Sequence, residues 1–506
     1  MNMKTAFKDL LLLPMLTTVL GLMPAGPAAA QTFTTLHSFA AASGALGDYI
    51  NGDGAYPQAG VILSGDTLYG TASQGGNWGS GTVFSVSTNG IGFATLHTFT
   101  EGLADAFGPP GAQTNSDGAS PNGPLILSGS TLYGTAKYLG ASDYGTVFAV
   151  NQDGTGFTNL HSFTSFDGAN PLAGVILSGD TLYGTTEYAG AGNFGTVFAL
   201  NTNGTGFRTL HSFTGNSDGG KPAAGLVSLG NTLYGTALGG PGGSSTGNGT
   251  VFKVNTDGTG FATLHTFTAP SFDYSSNVYT NSDGAGPQGP LILSGDTLYG
   301  TASAGGSSGH GTVFAVKTDG TSFTTLHAFT GNTDGAYPQA GLALSGNILY
   351  GTASAGGTGF GTVFALNTDG TSFATLYTFW ASTFPIVVES DGAYPQAALI
   401  LSGGTLYGTA YEGGTGFGTV FSISLAPVNP PTLTLAAGGA NVILTWAASA
   451  AGYTLESTTS LVPTVVWSPV VPAPVVVNGQ NAVTNSISGT QQYYRLVYKV
   501  VKPVIR

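Results

Sequence analysis

Seven aspartates, Asp53, Asp117, Asp167, Asp218, Asp283, Asp334 and Asp391, each open a D-G-x-x-P segment. Six histidines, His37, His97, His161, His211, His265 and His327, each stand inside an F-x-x-L-H-x-F segment. Carboxylates and imidazoles that recur at fixed places raise the question of metal. Asp53, Asp117, Asp283 and Asp334 are the candidate calcium ligands, with oxygens added by the Asn two residues before such an Asp, at Asn51, Asn115, Asn216, Asn281 and Asn332. Calcium takes roughly six to eight oxygens, and one such loop offers only two or three side chains. Asp followed by Gly is also ordinary turn chemistry, the carboxylate accepting a backbone N–H two residues on. The loops are therefore expected to be turns first, with calcium the alternative and no other cofactor indicated. Equivalent strands of a repeat keep the histidines too far apart for one metal centre. Tyr377 fills the seventh place, so a packing and hydrogen-bonding role is expected for the set.

Catalytic constellations are missing: there is no G-x-S-x-G elbow, H-E-x-x-H helix or phosphate loop. Glu187 and Glu412 occupy equivalent loops and are the only acids that suggest a glycoside-cleaving pair. His310, off the repeat register, reads as a solvated loop residue. Aromatic residues are more suggestive. Tyr144, Phe194, Phe360 and Phe417 directly precede a G-T-V-F string, Trp78 lies near the first one, and Tyr56, Tyr337 and Tyr394 belong to D-G-A-Y-P. Ring faces next to carboxylates suit sugars or extended peptides, and the same rings can instead wedge between repeats.

The elements that must position these residues follow from repetition. L-Y-G-T occurs seven times, beginning at Leu68, Leu132, Leu182, Leu233, Leu298, Leu349 and Leu406, with a period of 50 to 65 residues. A period of that length means a propeller or an array. In the unit from Ala59 to Phe99, an apolar run, a Ser-Gly-Asp turn, L-Y-G-T, a glycine-rich link, T-V-F-S-V, an Asn-Gly turn and the L-H-x-F segment follow in order. They predict four strands, A to D, with type I′ turns at Asn89-Gly90, Asp153-Gly154, Asn203-Gly204, Asp257-Gly258, Asp319-Gly320 and Asp369-Gly370. Only the D-to-A link varies in length, which marks the passage from one sheet to the next. In such a meander the B–C and D–A loops share a face, so the aromatic rings and the acids should meet there.

The chain begins with an orphan D strand, Phe33 to Phe39, and the last repeat lacks one after Phe421-Ser422-Ile423. The N-terminal strand can therefore complete the last sheet and remove two exposed edges. The expected fold is all-β: a seven-bladed β-propeller closed by its N-terminal strand, then a small β-sandwich. A solenoid is the alternative.

The strings L-Y-G-T, G-G, G-T-V-F and L-H-x-F, in this order, resemble the GloVer tandem repeat of secreted bacterial proteins, over about residues 32–425. That family carries no assigned reaction, and its members vary in their C-terminal anchor. At fold level the unit is also similar to a kelch blade, with Phe93, Phe157 or Phe261 as its last-strand aromatic. The Gly-Gly pair of that pattern is absent at Leu139-Gly140 and Ala189-Gly190.

Composition fits a secreted all-β chain: 82 Gly, 25 Pro, 7% charged residues and no Cys among 506 residues. Disulfides and thiol redox chemistry are excluded. Lys4 and Lys8, an apolar run from Leu10 to Leu22 broken by Pro14, and Ala28-Ala29-Ala30 predict a signal peptide over 1–30. No later segment is long and apolar enough to span a bilayer. The domains expected are 1–30 signal, 31–426 repeats, and 427–506, where Val, Thr and Pro dominate after Pro427, Pro430 and Pro431. In that last region Val442–Trp446, Tyr453–Leu455, Val465–Trp467 and Tyr493–Leu496 read as strands of a fibronectin type III-like module with Trp446 in its core. Net charge is −13; the leader carries one net positive charge and the last region three, which leaves −17 on the repeats. Such a surface repels nucleic acid and anionic lipid. Extracellular or cell-surface binding of a glycan or protein ligand without catalysis is the function expected, and a secreted polysaccharide-degrading enzyme is the alternative.

Overall fold

The computed structural model describes residues 32–43, 50–104, 113–239, 248–274, 277–357, 359–380, 391–425 and most of 433–498. The expected signal segment, the Pro427–Pro431 link and the C-terminal Lys499–Arg506 lie outside the described residues. The described residues form strands and turns with no helix among them, in two compact units that divide between Ile423 and Ser424.

The first unit holds seven four-stranded antiparallel sheets, one per repeat. In repeat 1 the strands are A (Ile62–Ser64), B (Thr67–Ala72), C (Thr82–Ser87) and D (Ala94–Thr98). The other repeats copy this pattern. The seventh sheet takes its D strand from the N-terminus: Thr32–Ser38 lies beside Thr419–Ser424, and Phe39 N–H donates to the Gly418 carbonyl at 3.1 Å.

Each letter of L-Y-G-T has a separate physical role. The leucines are fully buried, and the tyrosines are buried against the next repeat's core. The glycine pairs with the Phe of strand C, whose ring lies over it; a Cβ at Gly351 would stand 2.5 Å from Phe364 Cζ. The threonine hydroxyl donates to a carbonyl of the following repeat. Thr71 reaches Gly123, Thr135 Ala173, Thr185 Ala224, Thr236 Gly289, Thr301 Ala340 and Thr352 Ala397, at 2.7–3.4 Å. Thr409 then returns to Ala59 at 2.9 Å, so the contacts run in a closed cycle. Buried clusters also straddle neighbouring sheets, and one unites Leu36, Phe39, Val61 and Phe84 with Tyr407 and Val420 from the two ends of the repeat region.

The C-to-D turns differ from the type I′ form expected. Only the glycines take positive φ (Gly90 81°, Gly154 83°), whereas the preceding Asn or Asp does not. The side chain of that residue instead caps the turn: Asp153 Oδ1 accepts from Thr155 N–H at 3.0 Å and from its hydroxyl at 2.7 Å. A bulge between Val83 and Phe84 of the C–D pair recurs in the other repeats and adds one residue to strand D. At Leu139 and Ala189, where the Gly-Gly pair is lost, the backbone still takes the left-handed φ, 59° and 61°.

In the second unit a four-stranded sheet includes Thr434–Gly438 and Asn441–Ala447, and a three-stranded sheet includes Tyr453–Thr458 and Tyr493–Tyr498. Val442, Leu444 and Trp446 from the first share a cluster with Leu455 and Leu496 from the second, and Trp446 is 1% exposed. Of the expected strand at Val465–Trp467, the two valines lie outside the described residues and pairing begins at Ser468.

Candidate functional site

The histidine and aspartate sets meet each other. His37 Nε2 lies 3.0 Å from Asp53, His97 3.1 Å from Asp117, His161 3.0 Å from Asp167, His211 3.3 Å from Asp218, His265 3.1 Å from Asp283 and His327 3.2 Å from Asp334. Tyr377 makes the seventh contact, donating its hydroxyl to Asp391 at 2.5 Å. Burial pushes the Tyr377 hydroxyl far above its ordinary pKa, and the hydrogen-bonded Asp391 adds to the effect. Six of the carboxylates also accept the backbone N–H of the residue three after the histidine; Asp334 accepts Thr330 N–H at 2.9 Å and its hydroxyl at 2.5 Å. A face of each imidazole stacks on the first Phe of the next F-x-x-L segment: His37 on Phe93 at 3.7 Å, His327 on Phe373 at 3.8 Å, and likewise Tyr377 on Phe33 at 4.3 Å. The histidines are thus clasps between strand D and the following loop. No cluster of three or more His, Asp or Glu arranged to hold a metal occurs among the described residues.

Most of the aromatic set lies at the seams between repeats. The residue before each loop proline has positive φ, as at Tyr56 (56°), Asn170 (57°), Tyr337 (55°) and Tyr394 (53°). Pre-proline and left-handed geometry are both disfavoured for a side-chain residue, so the backbone must be held from both sides. It is: Tyr337 N–H donates to the His310 carbonyl at 2.9 Å, and Tyr337 C=O accepts Ser354 N–H at 3.2 Å. The same N–H bond joins Tyr56 to Phe417, Ser120 to Ser80, Asn170 to Tyr144, Lys221 to Phe194, Gly286 to Asn248 and Tyr394 to Phe360. Side chains then pair across the seam. Tyr56 meets Phe417 at 5.7 Å and Tyr411 at 5.0 Å, and Tyr394 meets Phe360 at 5.8 Å. Phe194 and Tyr144 are half-buried against the cores of the following repeats.

His310 sits differently from the solvated position expected. It occupies the seat of Phe360 and Phe417, its ring lies over Gly331 and 5.9 Å from Tyr337, and its Nδ1 is buried with no hydrogen-bond partner. Its place directly before Gly311-Thr312-Val313-Phe314 was the available sequence signal.

Trp78 has another setting. It is 53% exposed and lines a recess of about 310 Å³ with Thr100, Glu101, Leu103, Asn115 and Ser116. Glu187 and Glu412 line neither this recess nor the larger cavity described next.

That cavity, about 380 Å³, is lined by residues from all seven repeats, each contributing the segment after its loop proline. The leading side chains are Gln58, Asn122, Leu172, Ala223, Gln288, Gln339 and Gln396. None of the residues lining it is ionisable. Sequence reasoning missed this site, although Y-P-Q-A at 56–59, 337–340 and 394–397 advertised it.

The family model for the Gloeobacter/Verrucomicrobia repeat matches residues 110–278 and 269–461. The chain belongs to that family. Two tandem copies of the Gloeobacter/Verrucomicrobia repeat thus cover most of the sheets just described. No curated protein matches the sequence. Among solved structures, an oligogalacturonate lyase from Vibrio parahaemolyticus is 10% identical with TM-score 0.46, over 79% of this chain and 99% of that one. An oligogalacturonate lyase in complex with manganese is 11% identical with TM-score 0.47, over 80% and 99%. A gluconolactonase from Xanthomonas campestris is 15% identical with TM-score 0.35, over 62% and 88%.

Proposed function

We propose that this member of the Gloeobacter/Verrucomicrobia repeat family is a secreted, extracellular binding protein that holds a glycan or an extended peptide on its B–C/D–A loop face and does not turn it over. Its scaffold in this proposal is a seven-bladed β-propeller closed by the N-terminal strand, spanning 31–426 after a signal peptide, and followed over 427–506 by a fibronectin type III-like sandwich that serves as spacer or surface attachment. The observation that carries the binding role is the cavity shared by all seven repeats, whose lining offers amides and apolar groups and no acid or base. General acid–base catalysis needs a titratable group within hydrogen-bond reach of the reacting atom. Trp78 adds an exposed ring beside Glu101, and Tyr56, Tyr337 and Tyr394 give the seams aromatic rims. The alternative, a polysaccharide-degrading enzyme, rests on Glu187 and Glu412.

A glycan array run beside a reducing-end assay on the same ligands separates the two. Retention without new reducing ends, weakened in Trp78→Ala, is the expected result. Product release that disappears in Glu187→Gln or Glu412→Gln would overturn the binding role in favour of the enzyme.

A further inference from the structure

Around the closed cycle of contacts the amides are not scattered. Gln288, Gln339, Gln396, Gln58 and Asn122 belong to repeats 5, 6, 7, 1 and 2, which are consecutive once Thr409 is bonded to Ala59. Leu172 and Ala223 belong to repeats 3 and 4, so the remaining sector is apolar. The cavity is therefore two-sided: an arc of hydrogen-bonding amides faces an aliphatic patch. Asn122 lines the arc, and its Oδ1 is buried without a hydrogen-bond partner. Gln288 is steadied by Ser303, 3.3 Å from its Nε2. The half of the arc on repeats 6, 7 and 1 is also the half where Tyr337, Tyr394 and Tyr56 stand two residues before Gln339, Gln396 and Gln58.

We infer that this cavity is a saccharide site of its own, taking a neutral mono- or disaccharide unit, free or at a chain end. The inference rests on the binding function proposed above and gives it a ligand class. An amide supplies a donor and an acceptor side by side, which matches vicinal hydroxyls that both give and take hydrogen bonds. A sugar ring also has an aliphatic C–H face, and the Leu172 and Ala223 sector receives it. Charge sets the preference: no lining side chain balances a uronate or an amino sugar, and burying an unpaired charge is costly. A volume of about 380 Å³ is at the small end of ligand pockets, suited to one or two sugar units and not to a polymer lying flat.

The test is calorimetric and ligand-observed NMR titration of the full secreted chain with cellobiose, maltose and xylobiose, beside glucuronate, glucosamine and a neutral tetrapeptide. At least one neutral disaccharide should bind, and the charged sugars and the peptide should not. Gln339→Leu and Gln396→Leu, which keep the side-chain volume, should each weaken that binding by about tenfold, the worth of one hydrogen bond with its stranded partner. Leu172→Asp, which attacks the opposite sector, should abolish it, and melting curves will show whether each variant is folded. Failure of every neutral sugar to bind, tighter binding of the peptide, or insensitivity to both glutamine variants and to Leu172→Asp would overturn the inference. Polymer retention that depends on Trp78 would survive such a failure and would leave the broader binding function standing.

Discussion

A single residue separates the first clasp from the five that follow it. Asp117, Asp167, Asp218, Asp283 and Asp334 each accept a threonine hydroxyl, from Thr100, Thr164, Thr214, Thr268 and Thr330. The equivalent of those threonines in the first clasp is Ala40, and Asp53 Oδ1 is buried without a partner. Ala40→Thr supplies the missing donor, so it should stabilise the protein by about 1 kcal/mol, read as a raised urea midpoint at unchanged slope. The clasps also set a pH dependence. Burial holds His211, His265 and His327 below the ordinary histidine range, against the pull of Asp218, Asp283 and Asp334. The fold thus favours the neutral ring, and the stability these groups add is complete above about pH 6.5 and declines as pH falls below it. Burial pushes Asp117 and Asp167 up, but hydrogen bonds from His97 and Thr100, and from His161 and Thr164, outweigh it and leave both low. Their contribution is present above about pH 3.9 and is lost as pH falls further. Melting temperature should therefore be flat at neutral and mildly alkaline pH and drop in two stages in acid. A maximum near pH 5 would contradict this sign.

At the scale of the element, the N-terminal strand is the piece whose removal tells most. It brings Leu36 and Phe39 into the cluster that unites the first and last sheets, and His37 clasps Asp53 from it. Phe39 is fully buried, so Phe39→Ala should cost about 3–5 kcal/mol. Deleting residues 31–40 should lower the melting temperature sharply and raise aggregation, because it strips the D strand from Thr419–Ser424 and bares an edge. A truncated chain that melts with the full-length one would show that closure is not what holds the sheets together. The strand order was legible in the sequence because A to D alternate and turn in a fixed pattern. The C-to-D turns were misjudged, since Asp-Gly serves a type I′ turn and a side-chain-capped turn equally well. Only the φ of Asp153 and its bond to Thr155 separate the two.

For the whole molecule, the −17 on the repeats raises the question of cations. Each Asp-Gly loop already spends its carboxylate on a histidine or tyrosine, and in most repeats on a threonine N–H and hydroxyl as well. Millimolar calcium is expected to shift the melting temperature by only a degree or two relative to chelator, and magnesium should do the same by screening. A large calcium-specific shift that disappears in Asp334→Ala would instead make Asp53, Asp117, Asp283 and Asp334 true ligands, since an ion that binds only the native state stabilises it by mass action.

The repeat, the four strands of each unit, the supply of the last sheet from the N-terminus and the positions of the clasp residues are legible in the amino-acid order, because each depends on local pattern and on counting. That order also put Tyr56, Tyr337 and Tyr394 on the D–A loops and Phe360 and Phe417 on the B–C loops, expected on one face. That these rings pair with one another across seams, that His310 joins them and that Trp78 stands apart in a recess emerges from packing between repeats. The cavity was likewise beyond local pattern. Gln58 and Gln396 are separated by most of the chain, and a wall built from one short segment of every repeat exists only when the cycle of contacts brings the last repeat back to the first.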